Sequence, residues 1–293
     1  TYTEDIGPET EHLASLSFSM LSDSEQAKLD RPLYLALPDR RTDRRRYRKE
    51  TPDSNVTRQL EESIAHLGGR VVWMSDPVAL KQLSKAFSKH DDFFWTNDEG
   101  PRNDLVRFVH RSGSAVAPSS GMPSNTLGLG WKAPLLPMTF RIAYSIPWLW
   151  KVIGWQSKYV SEDLMQHSGA LALIVLPKRQ EKKVFESGYR FQDDIKGGRN
   201  MLRFWLSATS LGFSVQPTYA LVAQMQNEGN AREGEHFLRL NREVVAELVS
   251  MVPELEQETL VFAFRIGRPL STEQVPSSPR KPLSDIIWSV EKQ

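Results

Sequence analysis

The most chemically suggestive part of the sequence is an arginine run at 39–47, which reads Asp-Arg-Arg-Thr-Asp-Arg-Arg-Arg-Tyr. Several guanidinium groups on one turn can converge on a single phosphate, because each can donate two parallel hydrogen bonds to its oxygens. Thr42 adds a hydroxyl donor within the run. The pattern predicts a phosphate-binding turn, and it leaves open a solvated cationic loop or a nucleic-acid patch.

The composition of the whole chain narrows these alternatives. The 293 residues carry a formal net charge of +1, whereas a nucleic-acid binder usually presents a wide basic face, so we expect no nucleic-acid partner. The chain has no cysteine, which excludes disulfide scaffolds, thiolate metal sites, iron–sulfur clusters and cysteine nucleophiles. Redox chemistry in this chain would therefore need a bound cofactor.

Helices and strands that could position the arginine run are indicated by hydrophobic periodicity. The unbroken apolar run at 170–176 predicts a central strand covered on both faces, and the alternating pattern at 260–267 predicts a half-covered strand. A further strand is predicted at 70–74, and amphipathic helices are predicted at about 193–211 and 233–251. The mixture predicts a domain with helices packed on a sheet.

Three further segments follow the arginine run in order. The stretch 197–212 begins Gly-Gly-Arg and ends Leu-Gly, 216–219 reads Gln-Pro-Thr-Tyr, and Arg-Ile-Gly at 265–267 is followed by Pro-Arg-Lys-Pro-Leu at 279–283. In this order, the four segments resemble those of the nitroreductase family of FMN-binding proteins. The resemblance extends from about residue 33 to residue 288, which is nearly the whole chain.

The resemblance implies an α+β fold, a three-layer sandwich whose central, mainly antiparallel sheet is flanked by helices, in a single domain spanning 1–293. It also implies an FMN-dependent oxidoreductase that moves electrons from NAD(P)H through the flavin to a small-molecule acceptor, with no obligatory side-chain acid or base. A homodimer or a partner domain would complete the flavin site. The alternatives are a non-catalytic flavin-binding or flavin-sequestering module and an accessory domain that regulates a larger enzyme.

Carried over residue by residue, the resemblance assigns each end of the FMN to a part of the chain. The phosphate end would be bound by Arg40, Arg41, Thr42 and Arg44, with Arg280 and Lys281 from the closing segment. The isoalloxazine edge would be bound by Gln216, Pro217, Tyr219 and Ala220. A backbone N–H near Tyr219 or Ala220 would stabilise negative charge on the reduced ring.

One segment of the family pattern is missing. Family members carry an upstream stretch of the type Pro-Ser-x-x-Asn-x-Gln-Pro-Trp, and none precedes Arg40 here. The chain thus resembles the C-terminal part of a longer protein from a divergent branch, sometimes fused to an adenylyltransferase domain of the ubiquitin-activating type. We therefore expect an N-terminally incomplete piece whose flavin site is finished by another segment.

Other features predict less. The N-terminus lacks a secretory profile and no apolar stretch has the length of a membrane span, so we expect a cytoplasmic protein with no membrane partner. The cluster His90, Asp91 and Asp92 is interpreted as a solvated helix cap, and no metal site is expected. The aromatic-rich region with Trp131, Trp148, Trp150 and Trp155 predicts core or dimer interface, with a substrate lid as the alternative.

Overall fold

The computed structural model describes residues 25–97, 99–111, 121–178, 187–218, 221–222, 225, 235–271, 273–278 and 282. Its strands are β1 (Arg70–Met74), β2 (Val109–His110), β3 (Met122–Pro123), β4 (Ala170–Pro177), β5 (Ser214–Pro217) and β6 (Glu258–Gly267). Its α-helices are α1 (Glu25–Ala36), α2 (Ser54–Ala65), α3 (Pro77–Asn97), α4 (Glu99–Phe108), α5 (Leu136–Ser145), α6 (Leu149–Gln166), α7 (Ser187–Ser210) and α8 (Glu235–Met251). Short 3-10 helices lie at Ser124–Leu127, Gly130–Leu135 and Pro253–Glu256.

Four strands form the main sheet in the order β1-β4-β6-β5, and every neighbouring pair is antiparallel. Successive side chains of a strand point to opposite faces, so the apolar run of β4 supplies two cores at once. One core receives Leu171, Leu173 and Val175, and the other receives Ala170, Ala172 and Ile174. The prediction of a central strand covered on both faces is confirmed.

Helices cover both faces of this sheet. The core with Leu171 also contains Leu83 from α3 and Leu248 from α8. The core on the opposite face contains Leu60 from α2 and Phe204 from α7. These layers confirm the predicted α+β class, a central antiparallel sheet flanked by helices.

The amphipathic helix α2 shows how capping residues set the ends of a helix. Asp53 caps α2, because its carboxylate accepts hydrogen bonds from the backbone N–H groups of Asn55 and Val56 at 3.0 and 2.9 Å. Gly68 follows the helix with a φ of 78°, a left-handed conformation that glycine adopts without strain. The predicted strand β1 begins directly after this turn.

The expectation that β6 is half covered is wrong for its C-terminal half. Residues 263–267 are buried on both faces, because β6 lies between β4 and β5 and receives helices on each side. The sequence pattern alternates because the charged residue Arg265 interrupts an otherwise apolar strand, but the structure buries Arg265 as well. Among the described residues, no helix combines the length and the apolar character needed to cross a bilayer.

Candidate functional site

The arginine run lies along the edge strand β5. The turn follows α1, where the backbone N–H groups of Asp39 and Arg40 donate to the Ala36 carbonyl. Thr42 then forms a parallel bridge with Val215, and the Asp43 N–H donates to the Val215 carbonyl at 3.1 Å. Tertiary structure therefore brings the arginine run beside the segment at 214–217.

A buried carboxylate, Asp43, holds the turn in shape. It accepts hydrogen bonds from the backbone N–H, Nε and Nη2 of Arg45 at 3.0, 2.9 and 2.9 Å, and from the Ser214 hydroxyl at 2.8 Å. Burial raises the pKa of Asp43, but the hydrogen bonds from Arg45 and Ser214 outweigh it and hold the pKa below its ordinary value. Asp43 is therefore ionised at neutral pH.

Arg265 of β6 anchors the other side of the turn. Its guanidinium is buried and donates to the Gln216 side-chain oxygen, to the Arg45 carbonyl and, at 3.0 Å, to the Leu164 carbonyl. Its Cζ also lies 4.1 Å from the ring centroid of Tyr47. Sequence reasoning placed Arg265 only in a closing strand, and the one signal of its organising role was a charged residue inside an apolar run.

Tyr47 completes this buried cluster. Its hydroxyl donates to the Asp43 carbonyl, and its backbone N–H donates to the His167 carbonyl at 2.9 Å. Burial raises the pKa of the Tyr47 hydroxyl far above its ordinary value, more than the neighbouring Arg265 lowers it. The hydroxyl therefore stays protonated and remains a donor.

The outer side of the turn opens into a cavity of about 350 Å³, which we call the arginine cavity. All four predicted phosphate ligands of the run line it, together with Leu37, Pro38 and Thr126. The lining also includes 276–278, which lie just before the predicted ligands of the closing segment. The lining residues are Leu37, Pro38, Arg40, Arg41, Thr42, Arg44, Thr126, Pro276, Ser277 and Ser278.

The three arginines of this cavity are held differently. Arg40 lies over the Trp205 ring, with its Cζ 4.3 Å from the centroid. The Nε of Arg41 is buried without a hydrogen-bond partner in the described structure, and its Nη1 lies 3.9 Å from Asp39. Arg44 donates to the Thr126 carbonyl at 3.1 Å, and its burial lowers its pKa.

Other predicted site residues lie elsewhere. The side-chain oxygen of Gln216 is engaged by Arg265, and Pro217 pairs with Phe264 inside the sheet. Tyr219, Ala220, Arg280 and Lys281 lie outside the described residues. Their assignments to the flavin therefore stay predictions.

A second, larger groove lies on the inner side of the same turn. It has a volume of about 740 Å³, and Arg44 contributes to both its wall and that of the arginine cavity. Arg44, Arg45 and Arg46 are the basic residues of its lining, and Arg46 is paired with Asp163 through contacts of 2.6 and 2.7 Å. Much of the remaining lining is apolar and comes from Leu127, Leu129, Tyr159, Val160, Leu164 and Leu270.

The weaker candidates from the sequence do not gather into sites. His167 caps the C-terminal end of α6, where its backbone N–H donates to the Asp163 carbonyl and its Nδ1 lies 2.9 Å from the same oxygen. In the described part of the chain, no three carboxylate or imidazole side chains lie close enough together to hold a metal ion. Trp150 is buried, whereas Trp131, Trp148 and Trp155 are exposed.

No protein-family model matches the sequence, and no curated protein matches it either. The chain is similar in structure to solved FMN-bound nitroreductases. One, from Bacteroides fragilis NCTC 9343, is 13% identical, with 88% of this chain and 98% of that chain covered at a TM-score of 0.49. Another, from Desulfitobacterium hafniense DCB-2, is 11% identical, with coverages of 89% and 98% and a TM-score of 0.47.

A third similar structure is oxidized iodotyrosine deiodinase bound to FMN and 3-iodo-L-tyrosine. It is 13% identical, with 89% of this chain and all of that chain covered, at a TM-score of 0.46. All three solved structures contain bound FMN. Their side chains do not define a site in this chain, which has to be judged on its own residues.

Proposed function

We propose that this chain binds FMN with the phosphate in the arginine cavity and acts as a nitroreductase-type oxidoreductase. NAD(P)H would be the electron donor, and a small molecule would be the acceptor. The observation that carries the proposal is that Arg40, Arg41 and Arg44 line one cavity together with a segment more than 200 residues away.

The buried Nε of Arg41 supports a bound anion. A buried donor without an acceptor costs about 1–3 kcal/mol, so this N–H is expected to have a partner when the protein is loaded. A phosphate oxygen is a fitting acceptor, because guanidinium and phosphate form short, parallel, charge-assisted hydrogen bonds. The residues present therefore fit the phosphate end of FMN.

The charge balance of the cavity supports the same ligand. Among the described residues that line it there are three guanidinium groups and no carboxylate, and Asp39 approaches only one terminal nitrogen of Arg41. Burial lowers the pKa of Arg44, more than the neighbouring Tyr47 raises it, and a nearby negative charge would stabilise the protonated form. A dianionic phosphate would supply that charge, and Thr42 would add a hydroxyl donor.

The protein's part in the reaction would be binding and orientation. When bound, FMN supplies the hydride-accepting and electron-passing chemistry, so no catalytic triad is required of the chain. Arg40 is pre-positioned by Trp205, which reduces the entropy lost when a phosphate is bound. We further propose that Tyr219 and Ala220 present backbone donors to the ring, and that Arg280 and Lys281 close over the phosphate.

The flavin ring would need apolar surface in addition to the arginine cavity. The described lining of the arginine cavity is mostly polar and suits a phosphate, whereas the isoalloxazine ring needs apolar surface. We propose that a second copy of the chain or a partner domain provides it.

The test is to identify and titrate the cofactor. Purified protein should show a flavin absorbance spectrum, release FMN on denaturation, and bleach under anaerobic conditions when NADH or NADPH is added. Bound FMN that resists both donors would favour the non-catalytic flavin-binding module or an accessory role. A chain that neither contains FMN nor binds it at micromolar concentration would contradict the proposal.

A further inference from the structure

An extensive set of apolar side chains is exposed on the outer layer formed by the 3-10 helix Gly130–Leu135, α5 and α6. Three tryptophans and two tyrosines contribute to it, and Trp131 alone is 79% exposed. We call this the aromatic surface. Its members are Trp131, Leu135, Met138, Ile142, Tyr144, Ile146, Trp148, Val152, Trp155 and Tyr159.

The helix α6 shows that this exposure is built into the sequence. Trp148, Val152, Trp155 and Tyr159 are spaced so that they lie on one side of the helix, and the rings of the last two meet edge to face at 4.9 Å. The opposite side of α6 buries Trp150. A helix with apolar residues on both sides has one side for its own core and another available to a partner.

The charge of this part of the chain is one-sided. Between Asp104 and Glu162 the sequence has no acidic residue, whereas it has six basic ones, Arg107, Arg111, Lys132, Arg141, Lys151 and Lys158. The whole chain carries a net charge of only +1, so this concentration of positive charge is local. Lys132, Arg141 and Lys151 are exposed among the residues of the aromatic surface.

A second copy of this chain is a poor occupant for the same surface. In a twofold dimer the same patch of each subunit meets its equivalent, so the positive charge of one patch would meet the positive charge of the other. The stretch offers no acidic residue to offset that repulsion. The occupant should instead carry negative charge and accept apolar side chains.

We infer that the aromatic surface binds the face of an anionic lipid bilayer. Tryptophan and tyrosine favour the boundary between lipid headgroups and acyl chains, because one end of each ring system is apolar and the other is polar. Lysine and arginine next to them bury their aliphatic stems and keep their charges at the anionic headgroups. The protein would lie on the membrane without crossing it.

The test is sedimentation of the full chain with sucrose-loaded vesicles. One vesicle type contains phosphatidylcholine alone, and the other also contains about 30% phosphatidylserine, which makes its surface strongly anionic. We expect binding to the anionic vesicles that weakens as salt is raised. Lys132→Glu with Lys151→Glu should lower the partition coefficient by a factor of about 25 or more, since each cation near such a surface contributes about fivefold. Trp148→Ser with Trp155→Ser should abolish binding.

The matched control is Val78→Ser with Lys81→Glu, which changes an exposed apolar residue and an exposed lysine on α3. This variant should bind vesicles like the wild-type chain, and circular dichroism should show all variants folded. Equal binding to both vesicle types would overturn the inference, as would unchanged binding of the two surface variants. An oligomer that dissociates in the tryptophan variant, without vesicle binding by the wild type, would assign the surface to a second copy.

Flavin binding and vesicle binding depend on different residues. Loss of vesicle binding in Arg41→Ala would place the anionic lipid at the arginine cavity and would also overturn the inference. Retention of vesicle binding in that variant supports the aromatic surface whether or not FMN binds.

Discussion

The guanidinium of Arg265 lies over the ring of Tyr47, with 4.1 Å between Cζ and the ring centroid, and both side chains are buried. The two residues are far apart in sequence, because Arg265 lies on β6 and Tyr47 ends the arginine run. Through Tyr47 and the Arg45 carbonyl, Arg265 fixes the inner side of the turn whose outer side forms the arginine cavity. The cavity therefore depends on a residue that does not line it.

Replacing Arg265 by Met should destabilise the fold strongly. The change leaves the Arg45 and Leu164 carbonyls without their shared donor, and breaking buried charged networks costs about 3–5 kcal/mol. Urea denaturation followed by circular dichroism would measure the loss. Arg268→Met, at an exposed position on the same strand end, should cost less than about 1 kcal/mol. Equal losses in the two variants would contradict the organising role.

Acid should destabilise the turn through Asp43. Because its pKa is lower in the folded state, its stabilising contribution is present above the unfolded pKa of about 3.9 and is lost as pH falls through the folded value. Asp43→Asn should lose about 2 kcal/mol at pH 7, where a charged hydrogen-bond network is removed. Its free energy of unfolding should then change less than that of the wild type between pH 5 and pH 3, a window set by that reference value. Parallel curves for the two proteins would count against the assignment.

Arg41→Ala should weaken FMN binding by about 10- to 100-fold, because a hydrogen bond to a charged group contributes about 1.5–3 kcal/mol. Fluorescence quenching of free FMN would give Kd at two salt concentrations. Arg58→Ala removes a cation from the exposed i,i+4 pair with Glu62 on α2 and should leave Kd unchanged. A Kd for Arg41→Ala within threefold of the wild-type value, well under the factor expected from such a bond, would place the phosphate elsewhere.

Two adjacent glycines of α7 should respond oppositely to alanine. A Cβ on Gly198 meets no atom within 4 Å, so Gly198→Ala should stabilise the fold by about 0.5–1 kcal/mol through helix propensity alone. A Cβ on Gly197 would come to 3.1 Å from the Val261 Cβ, where α7 packs on β6. Gly197→Ala should therefore be less stable than Gly198→Ala by about 1 kcal/mol or more in thermal or urea unfolding. Equal stability would mean that the helix can shift away from the sheet.

The arginine run illustrates where prediction from sequence succeeds and where it fails. Arg40, Arg41 and Arg44 line the predicted cavity, whereas Arg45 is bound to Asp43 and Arg46 to Asp163. All five have the same side chain and lie within seven positions. Their partners in the fold separate these arginines. The Ser214 hydroxyl of β5 donates to Asp43, which binds Arg45, and the Asp163 carboxylate of α6 binds Arg46. The course of the turn along the sheet leaves Arg40, Arg41 and Arg44 at the cavity.

The sequence by itself determined the amphipathic helices α7 and α8, the central strand β4 and the position of the arginine run, because periodicity and residue type are local properties that survive in any fold containing them. Tertiary structure alone decided that Arg265 is buried beneath Tyr47 and that Trp148 and Trp155 are exposed while Trp150 is buried. The partner of a charged or aromatic side chain comes from a distant segment. Its burial therefore depends on how the layers pack, which no short stretch of sequence encodes.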